Sequence, residues 1–191
     1  MKVLVDSLTE TPAPFHFTAA PAWFRERFAG GARPIEQLSD ALLIEGRAYR
    51  VGADVLIEGS VRGELELGCS RCLGRYRAPV REPFRLVLEP AGARVPADPE
   101  GAEALSSDGL YLGDEAETGW FRGQELRLDR FIGEVISLAL PMQPVCRESC
   151  MGLCPRCGVD RNVESCNCAE TRPESPFAVL GKLKKDGAQS Q

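Results

Sequence analysis

The chain has 191 residues, 43% of them hydrophobic and 27% charged, with a formal net charge of −5. That length exceeds the size at which metals or disulfides become obligatory for a core, and the net acidity argues against a protein that coats nucleic acid indiscriminately. No apolar run reaches membrane-spanning length, and the opening MKVLVDSLTETPAP lacks the apolar stretch of a signal peptide and the basic character of a transit peptide. The expectation is therefore a cytoplasmic protein, in a compartment where clustered thiols more often hold metal than form disulfides.

Along the chain, Lys2 to Val5 reads as a short strand, and Pro12, Pro14 and Pro21 then break it into turns. Trp23 to Phe28 fits a helical turn closed by Gly30 and Gly31. Three strand-like segments follow. Ala41 to Val51 carries Leu42, Ile44 and Tyr49; Asp54 to Gly68 alternates at Val55, Ile57, Val61, Leu65 and Leu67; Tyr76 to Leu88 continues with Val80, Phe84, Leu86 and Leu88. Gly52-Ala53 has hairpin length, and Pro79 and Pro83 predict that the third strand lies at an edge or on a bulge. The stretch from Pro90 to Gly119 is rich in Ala, Gly, Pro, Asp and Glu and reads as a mobile acidic loop, interrupted by a brief strand at Leu110 to Leu112. Within Leu126 to Leu140, Asp129 is placed to cap a helix whose apolar positions are Ile132, Val135, Ile136, Ala139 and Leu140, and Pro141 and Pro144 end it.

These elements predict an α+β fold: an antiparallel meander, open or curled toward a barrel, packed by one main helix and followed by a cysteine-rich, zinc-binding segment. The core with its acidic loop near 90–119 covers residues 1–144, the zinc-binding tail packed on that core covers 145–185, with a short helix from Pro176 to Lys185, and 186–191 form a disordered end.

The eight cysteines carry the chemistry. Cys69-Ser-Arg-Cys72 and Cys154-Pro-Arg-Cys157-Gly are knuckles of the type that points two thiolates at one tetrahedral ion, and Cys146, Cys150, Cys166 and Cys168 supply four more donors. Val145 to Cys168 holds six of the cysteines and almost no large apolar residues, so burial cannot order it. Disulfides would need an oxidising compartment, a thioredoxin-like pair would need a helix start, and iron–sulfur runs are spaced differently. A catalytic zinc keeps an open position and favours His or carboxylate donors, whereas the one histidine, His16, lies far from any cysteine. Two structural zinc ions are expected. The spacing allows Cys154, Cys157, Cys166 and Cys168 to close one site and leaves Cys69, Cys72, Cys146 and Cys150 for another; it also allows Cys69 and Cys72 to join Cys154 and Cys157.

The charge is uneven. Ten Asp and Glu face three Arg between Leu86 and Asp129, whereas six Arg face three Glu between Val61 and Arg85. Arg71, Arg75, Arg77, Arg81 and Arg85 share parity and are candidates for an RNA-contacting stripe. The same five residues also suit the solvated face of an edge strand.

With these residues in view, the chain resembles the bacterial YceD-type family, whose members are linked to accumulation of 23S ribosomal RNA. Four stretches carry the likeness: Cys69-Ser-Arg-Cys72-Leu; the helix end Ile136-Ser-Leu-Ala-Leu-Pro141; Pro144-x-Cys146-x3-Cys150-x-Gly152-Leu153-Cys154-x2-Cys157-Gly158 with Asn162, Cys166 and Cys168; and Ser175-Pro-Phe-Ala-Val-Leu180 with Leu183. Ser175-Pro176-Phe177 stands where the family often has Asp-Pro-Arg. The resemblance favours a first site of Cys69, Cys72, Cys146 and Cys150, clamping the tail to the sheet, with the C-terminal four folding the tail on itself. It implies a non-enzymatic factor in large-subunit biogenesis whose partners are ribosomal RNA or assembly proteins. A protein adaptor without RNA contact is the alternative. No catalytic triad, phosphate-binding glycine loop or H-E-x-x-H run points to an enzyme.

Overall fold

A computed structural model gives the fold, with residues 1–28, 41–113 and 117–168 described in full and 35–38 by their backbone. The predicted tail helix at 176–185 and the end at 186–191 lie outside the described residues. The chain divides into two compact units, Met1–Cys150 and Met151–Gln191.

In the first unit the strands are β1 (Lys2–Leu4), β2 (Ala13–Ala19), β3 (Ile35–Leu38), β4 (Leu42–Val51), β5 (Asp54–Gly68), β6 (Arg75–Pro90), β7 (Leu110–Leu112), β8 (Thr118–Phe121) and β9 (Glu125–Arg127). The helices are α1 (Pro21–Phe28), α2 (Pro99–Ser107) and α3 (Asp129–Ala139). A seven-stranded sheet runs β2-β4-β5-β6-β8-β7, with β3 paired to β5; β1 and β9 form a separate ribbon. All pairs are antiparallel except β6 with β8, and the sheet stays open. It is not a barrel: β2 and β7 end the strand order without pairing to each other.

Period-two patterning sets the two faces. Leu42 and Ile44 of β4, Val55, Ile57, Val61, Leu65 and Leu67 of β5, and Val80, Phe84, Leu86 and Leu88 of β6 are all buried on one face. Tyr49 has the opposite parity to Leu42 and Ile44 and is half-buried on the other face. On the covered face α3 lays Phe131, Ile132, Val135 and Ile136 against the sheet, and the Phe131 ring meets Phe84 edge-on at 5.6 Å. Gly46 and Gly59 stand opposite each other in β4 and β5, and the Phe15 and Phe84 rings lie where their side chains would be. A methyl at Gly59 would come within 2.8 Å of the Phe84 ring, so the position requires glycine.

Asp129 does not cap α3 as expected. Leu128 is the N-cap residue without a side-chain bond, while the Asp129 carboxylate accepts from the Trp23 indole and the Met1 amine, both at 2.8 Å. Burial raises its pKa, but these two donors outweigh that effect and the net shift is downward. The residue thereby ties α1 to α3.

β6 is neither the last strand of the sheet nor bulged. Its register with β5 runs unbroken from Val55↔Leu88 to Gly68↔Arg75, and β8 joins its other side only from Val87 to Pro90. The Val87 N–H points outward, to the Glu117 carbonyl at 2.8 Å. Pro79 and Pro83 share its parity, so their missing donors face the side left unpaired among the described residues and cost no bond to β5.

Of the stretch read as a mobile loop, residues 90–113 and 117–119 are described, and they hold helix α2 and strand β7. Asp98 caps α2 by accepting from the Gly101 N–H at 2.5 Å, with Pro99 in the first turn. Arg94 sits 4.5 Å from the Trp120 ring centroid and donates to Glu89 at 2.9 Å and to the Pro90 carbonyl at 2.6 Å. Arg122 donates to the Arg94 carbonyl at 2.7 Å. Low apolar content concealed this order, which rests on caps and arginine contacts rather than on a hydrophobic stripe.

In the second unit a bridge pairs Leu153 with Asp160, Cys154 N–H donates to the Val159 carbonyl at 2.8 Å and Arg161 N–H to the Gly152 carbonyl at 3.0 Å. The Asn162 side chain accepts from the Met151 N–H at 2.9 Å. Among the described residues of this unit, Cys154 is the one buried hydrophobic position.

Candidate metal centres

The β5–β6 hairpin turn is itself the first cysteine knuckle. Cys69 N–H donates to the Gly74 carbonyl and Leu73 N–H to the Cys69 carbonyl, each at 2.9 Å, and the turn closes through Leu73 at φ 58°, a left-handed conformation uncommon for leucine. The residues between the two cysteines hold the chain that follows α3. Ser70 donates to the Pro144 carbonyl through its N–H at 2.8 Å and through its hydroxyl at 2.9 Å. The Arg71 guanidinium donates to the carbonyls of Glu148 and Cys150, both at 3.1 Å. These contacts set Cys146 and Cys150 beside Cys69 and Cys72. The Cys69–Cys150 and Cys72–Cys146 sulfurs are each 3.9 Å apart.

The second cluster comprises Cys154, Cys157, Cys166 and Cys168, all within the second unit. Gly158 N–H donates to the Cys154 carbonyl at 2.9 Å, with Gly158 at φ 75°, a value that favours glycine. Cys154 is buried and Cys157 exposed.

In both clusters the four sulfurs lie within 4.8 Å of one another, so each set could hold a metal ion. Four thiolates at about 2.3 Å from one ion in tetrahedral array stand about 3.8 Å apart, and the first cluster's 3.9 Å pairs match. A polynuclear iron–sulfur cluster would spread its cysteine sulfurs further, because iron and bridging sulfide lie between them. All eight cysteines are free of disulfides. The pairing of Cys69 and Cys72 with Cys154 and Cys157, which spacing permitted, is not the one the fold adopts.

The electrostatics point to a cation. Burial raises the Cys69 thiol, but the backbone amides of Cys146, Cys72 and Arg71 outweigh it and lower the value to about 6. Cys146 is pushed up to about 12 by burial and by the neighbouring thiols of Cys150, Cys69 and Cys72. The second cluster repeats the split: amides of Cys157 and Arg156 lower Cys154 to about 6, and Cys168, beside Cys157, is raised to about 12. Each set thus ionises readily once and resists ionising fully, because thiolates this close repel. A bound cation removes that resistance.

The five arginines read as a stripe have different surroundings. Arg71 is occupied by the first cluster's loop. Arg75 reaches Glu66 at 3.2 Å and Arg77 reaches Glu64 at 3.6 Å. Arg81 and Arg85 are exposed, with no ion pair among the described residues. His16 is exposed on β2 opposite Glu45 and belongs to neither four-cysteine set. Ser70, which the sequence reading passed over, has a local signal only in its place between the knuckle cysteines.

The family profile described as "Large ribosomal RNA subunit accumulation protein YceD" matches residues 57–184, which include both clusters. The chain belongs to the YceD family. Among curated relatives, the Arabidopsis thaliana protein "Large ribosomal RNA subunit accumulation protein YCED homolog 1, chloroplastic" is 22% identical over 173 residues, 77% of this chain and 52% of its own length. An uncharacterized protein of Mycobacterium tuberculosis is 33% identical over 113 residues, 59% of this chain and 48% of its own length. One from Mycobacterium leprae is 29% identical over 118 residues, 62% of this chain and 48% of its own length. The chain therefore spans about half the length of the curated relatives it matches. No solved structure matches it. Among the described residues, no helix is long and apolar enough to cross a membrane.

Proposed function

We propose that this protein is a non-enzymatic, cytoplasmic, zinc-binding factor that supports accumulation of 23S ribosomal RNA and thus biogenesis of the large ribosomal subunit. Membership of a family described by ribosomal RNA accumulation carries the functional half of this reading. The two four-cysteine sets support the other half, since a closed tetrathiolate environment suits a structural zinc without an open position for chemistry. The ions would fix the post-helix loop to the hairpin and shape the second unit. Deleting the gene and measuring the ratio of 23S to 16S RNA tests the role: a fall restored by the wild-type chain is expected, and an unchanged ratio overturns it.

A second reading, a protein adaptor, draws on a specific groove. Glu82, Glu117 and Glu134, with Arg85 as the one basic residue among those described, line a cleft between β6 and α3 that also includes Leu138, which is 74% exposed. Such a surface suits a basic ribosomal protein or assembly factor. Cross-linking from position 138 to a protein, with none to RNA from any face, would favour it.

A further inference from the structure

The face of the sheet opposite α3 carries a charge arrangement that ion pairing among the described residues does not complete. Four of its arginines have glutamate neighbours: Arg47 at 2.6 Å from Glu58, Arg62 at 3.8 Å from Glu45, Arg75 at 3.2 Å from Glu66 and Arg77 at 3.6 Å from Glu64. Arg81 and Arg85 on β6 remain without an ion pair among the described residues. Register makes the imbalance sharper. Arg81 stands directly opposite Arg62, a like-charge cross-strand pair that destabilises a sheet by itself. Arg85 stands opposite Glu58, but that carboxylate is already engaged by Arg47. Between the two rows, Ser60 faces Pro83. Arg47, Ser60, Arg62 and Arg85 line one shallow depression, together with Glu45 and Glu58. Its arginines stay solvent-accessible: the side chains of Arg47 and Arg62 are 61% and 52% exposed.

We propose that Arg62, Arg81 and Arg85, with Arg47 and the Ser60 hydroxyl at the rim, bind the phosphodiester backbone of RNA on this open face. The proposal rests on the ribosomal RNA reading above and names the surface for it. Guanidinium forks match phosphate oxygens, and a phosphate between Arg62 and Arg81 turns their repulsion into a shared contact. The surface offers charge and a hydroxyl with few base-reading groups, so it grips backbone and leaves sequence choice to RNA shape or to other factors. It differs from the stripe read in the sequence. Arg71, Arg75 and Arg77 drop out because each is used internally, and Arg47 and Arg62 join from the neighbouring strands.

The test uses the full chain loaded with zinc, labelled transcripts tiling 23S RNA, and fluorescence anisotropy across a salt series. Arg81→Glu with Arg85→Glu should weaken binding tenfold or more and lower the slope of log affinity against log salt by about 1 to 2, the share of two phosphate contacts. Arg75→Glu with Arg77→Glu should leave affinity within threefold. Arg81→Glu alone should also raise the melting temperature, because a glutamate there pairs with Arg62; higher stability with weaker binding marks a surface kept for a ligand. Equal losses in both double variants, or none in either, overturn the proposal. So does a wild-type chain that binds no transcript, or one whose Arg81→Glu/Arg85→Glu variant loses only a protein partner. If that chain still restores 23S RNA in the deletion strain, the proposed function stands and only this surface falls. If RNA binding holds but deletion leaves 23S RNA unchanged, the reverse is true.

Discussion

Cys72 is only partly buried, yet it shares its cluster with the fully packed Cys69 and Cys150. Cys72→Ser should lose one metal ion per chain, and Cys157→Ser the other, as read by mass spectrometry of the intact protein; a single variant that loses both would show that the sites are coupled. Leu73 lies in a left-handed conformation while 70% exposed, so its side chain contributes little packing to offset the backbone strain. Leu73→Gly should therefore stabilise the fold by up to about 1 kcal/mol in denaturant melts, and a clear loss would mean that the leucine has a contact of its own. Asp129 gives the pH dependence. Its folded pKa is lowered, so its contribution is present above the ordinary carboxylate value and is lost as pH falls through the depressed one. Asp129→Asn should cost about 1 kcal/mol near neutrality and flatten the acid limb of the stability curve.

At the scale of elements, the long hairpin of β5 and β6 organises the site, because its turn is the first knuckle and its strands form the core. Alternation made both strands legible in the sequence, and every apolar position named for them is buried on the covered face. Strands β2, β8 and β9 escaped notice because they are short or polar on one side and are stabilised by partners distant in sequence, such as Ala13↔Ala48 and Val3↔Leu126. Helix α2 escaped because its order comes from the Asp98 cap and neighbouring arginines. The prolines of β6 suggested an edge strand or a bulge; instead they lie in an inner, unbulged strand, on the side that β8 pairs only from Val87 to Pro90. Replacing Pro79 and Pro83 with Val would return two outward N–H donors to that side. The variant should associate in a concentration-dependent way by light scattering, while its melting temperature as a monomer changes little.

For the molecule as a whole, the two units would depend on bound metal to different degrees. The first has a sheet-and-helix core with Leu42, Ile57, Leu65, Ile132 and Ile136 fully buried, enough to persist when its ion leaves. The second has Cys154 as its buried hydrophobic among the described residues, so an ion held by its four cysteines would stand in for the core. Chelation should therefore abolish hydrogen-exchange protection at the Cys154, Gly158 and Arg161 amides. The amides of β5 should stay protected, apart from the end next to Cys69. Loss of protection throughout the sheet would show that the first ion holds the fold itself.

The sequence by itself determined the potential of the cysteines to bind metal, the buried face of the main strands and the apolar stripe of α3, because each follows from local spacing and periodicity. Spacing left more than one partition of the cysteines open and the family resemblance favoured the one that the structure brings together; the tertiary contacts give its physical reason. That choice depends on Ser70 and Arg71 reaching carbonyls more than 70 residues away in the chain. Only the tertiary structure decided which arginines lack an ion pair among the described residues, since an ion pair across strands is set by register, and register is a property of the folded sheet rather than of any one strand.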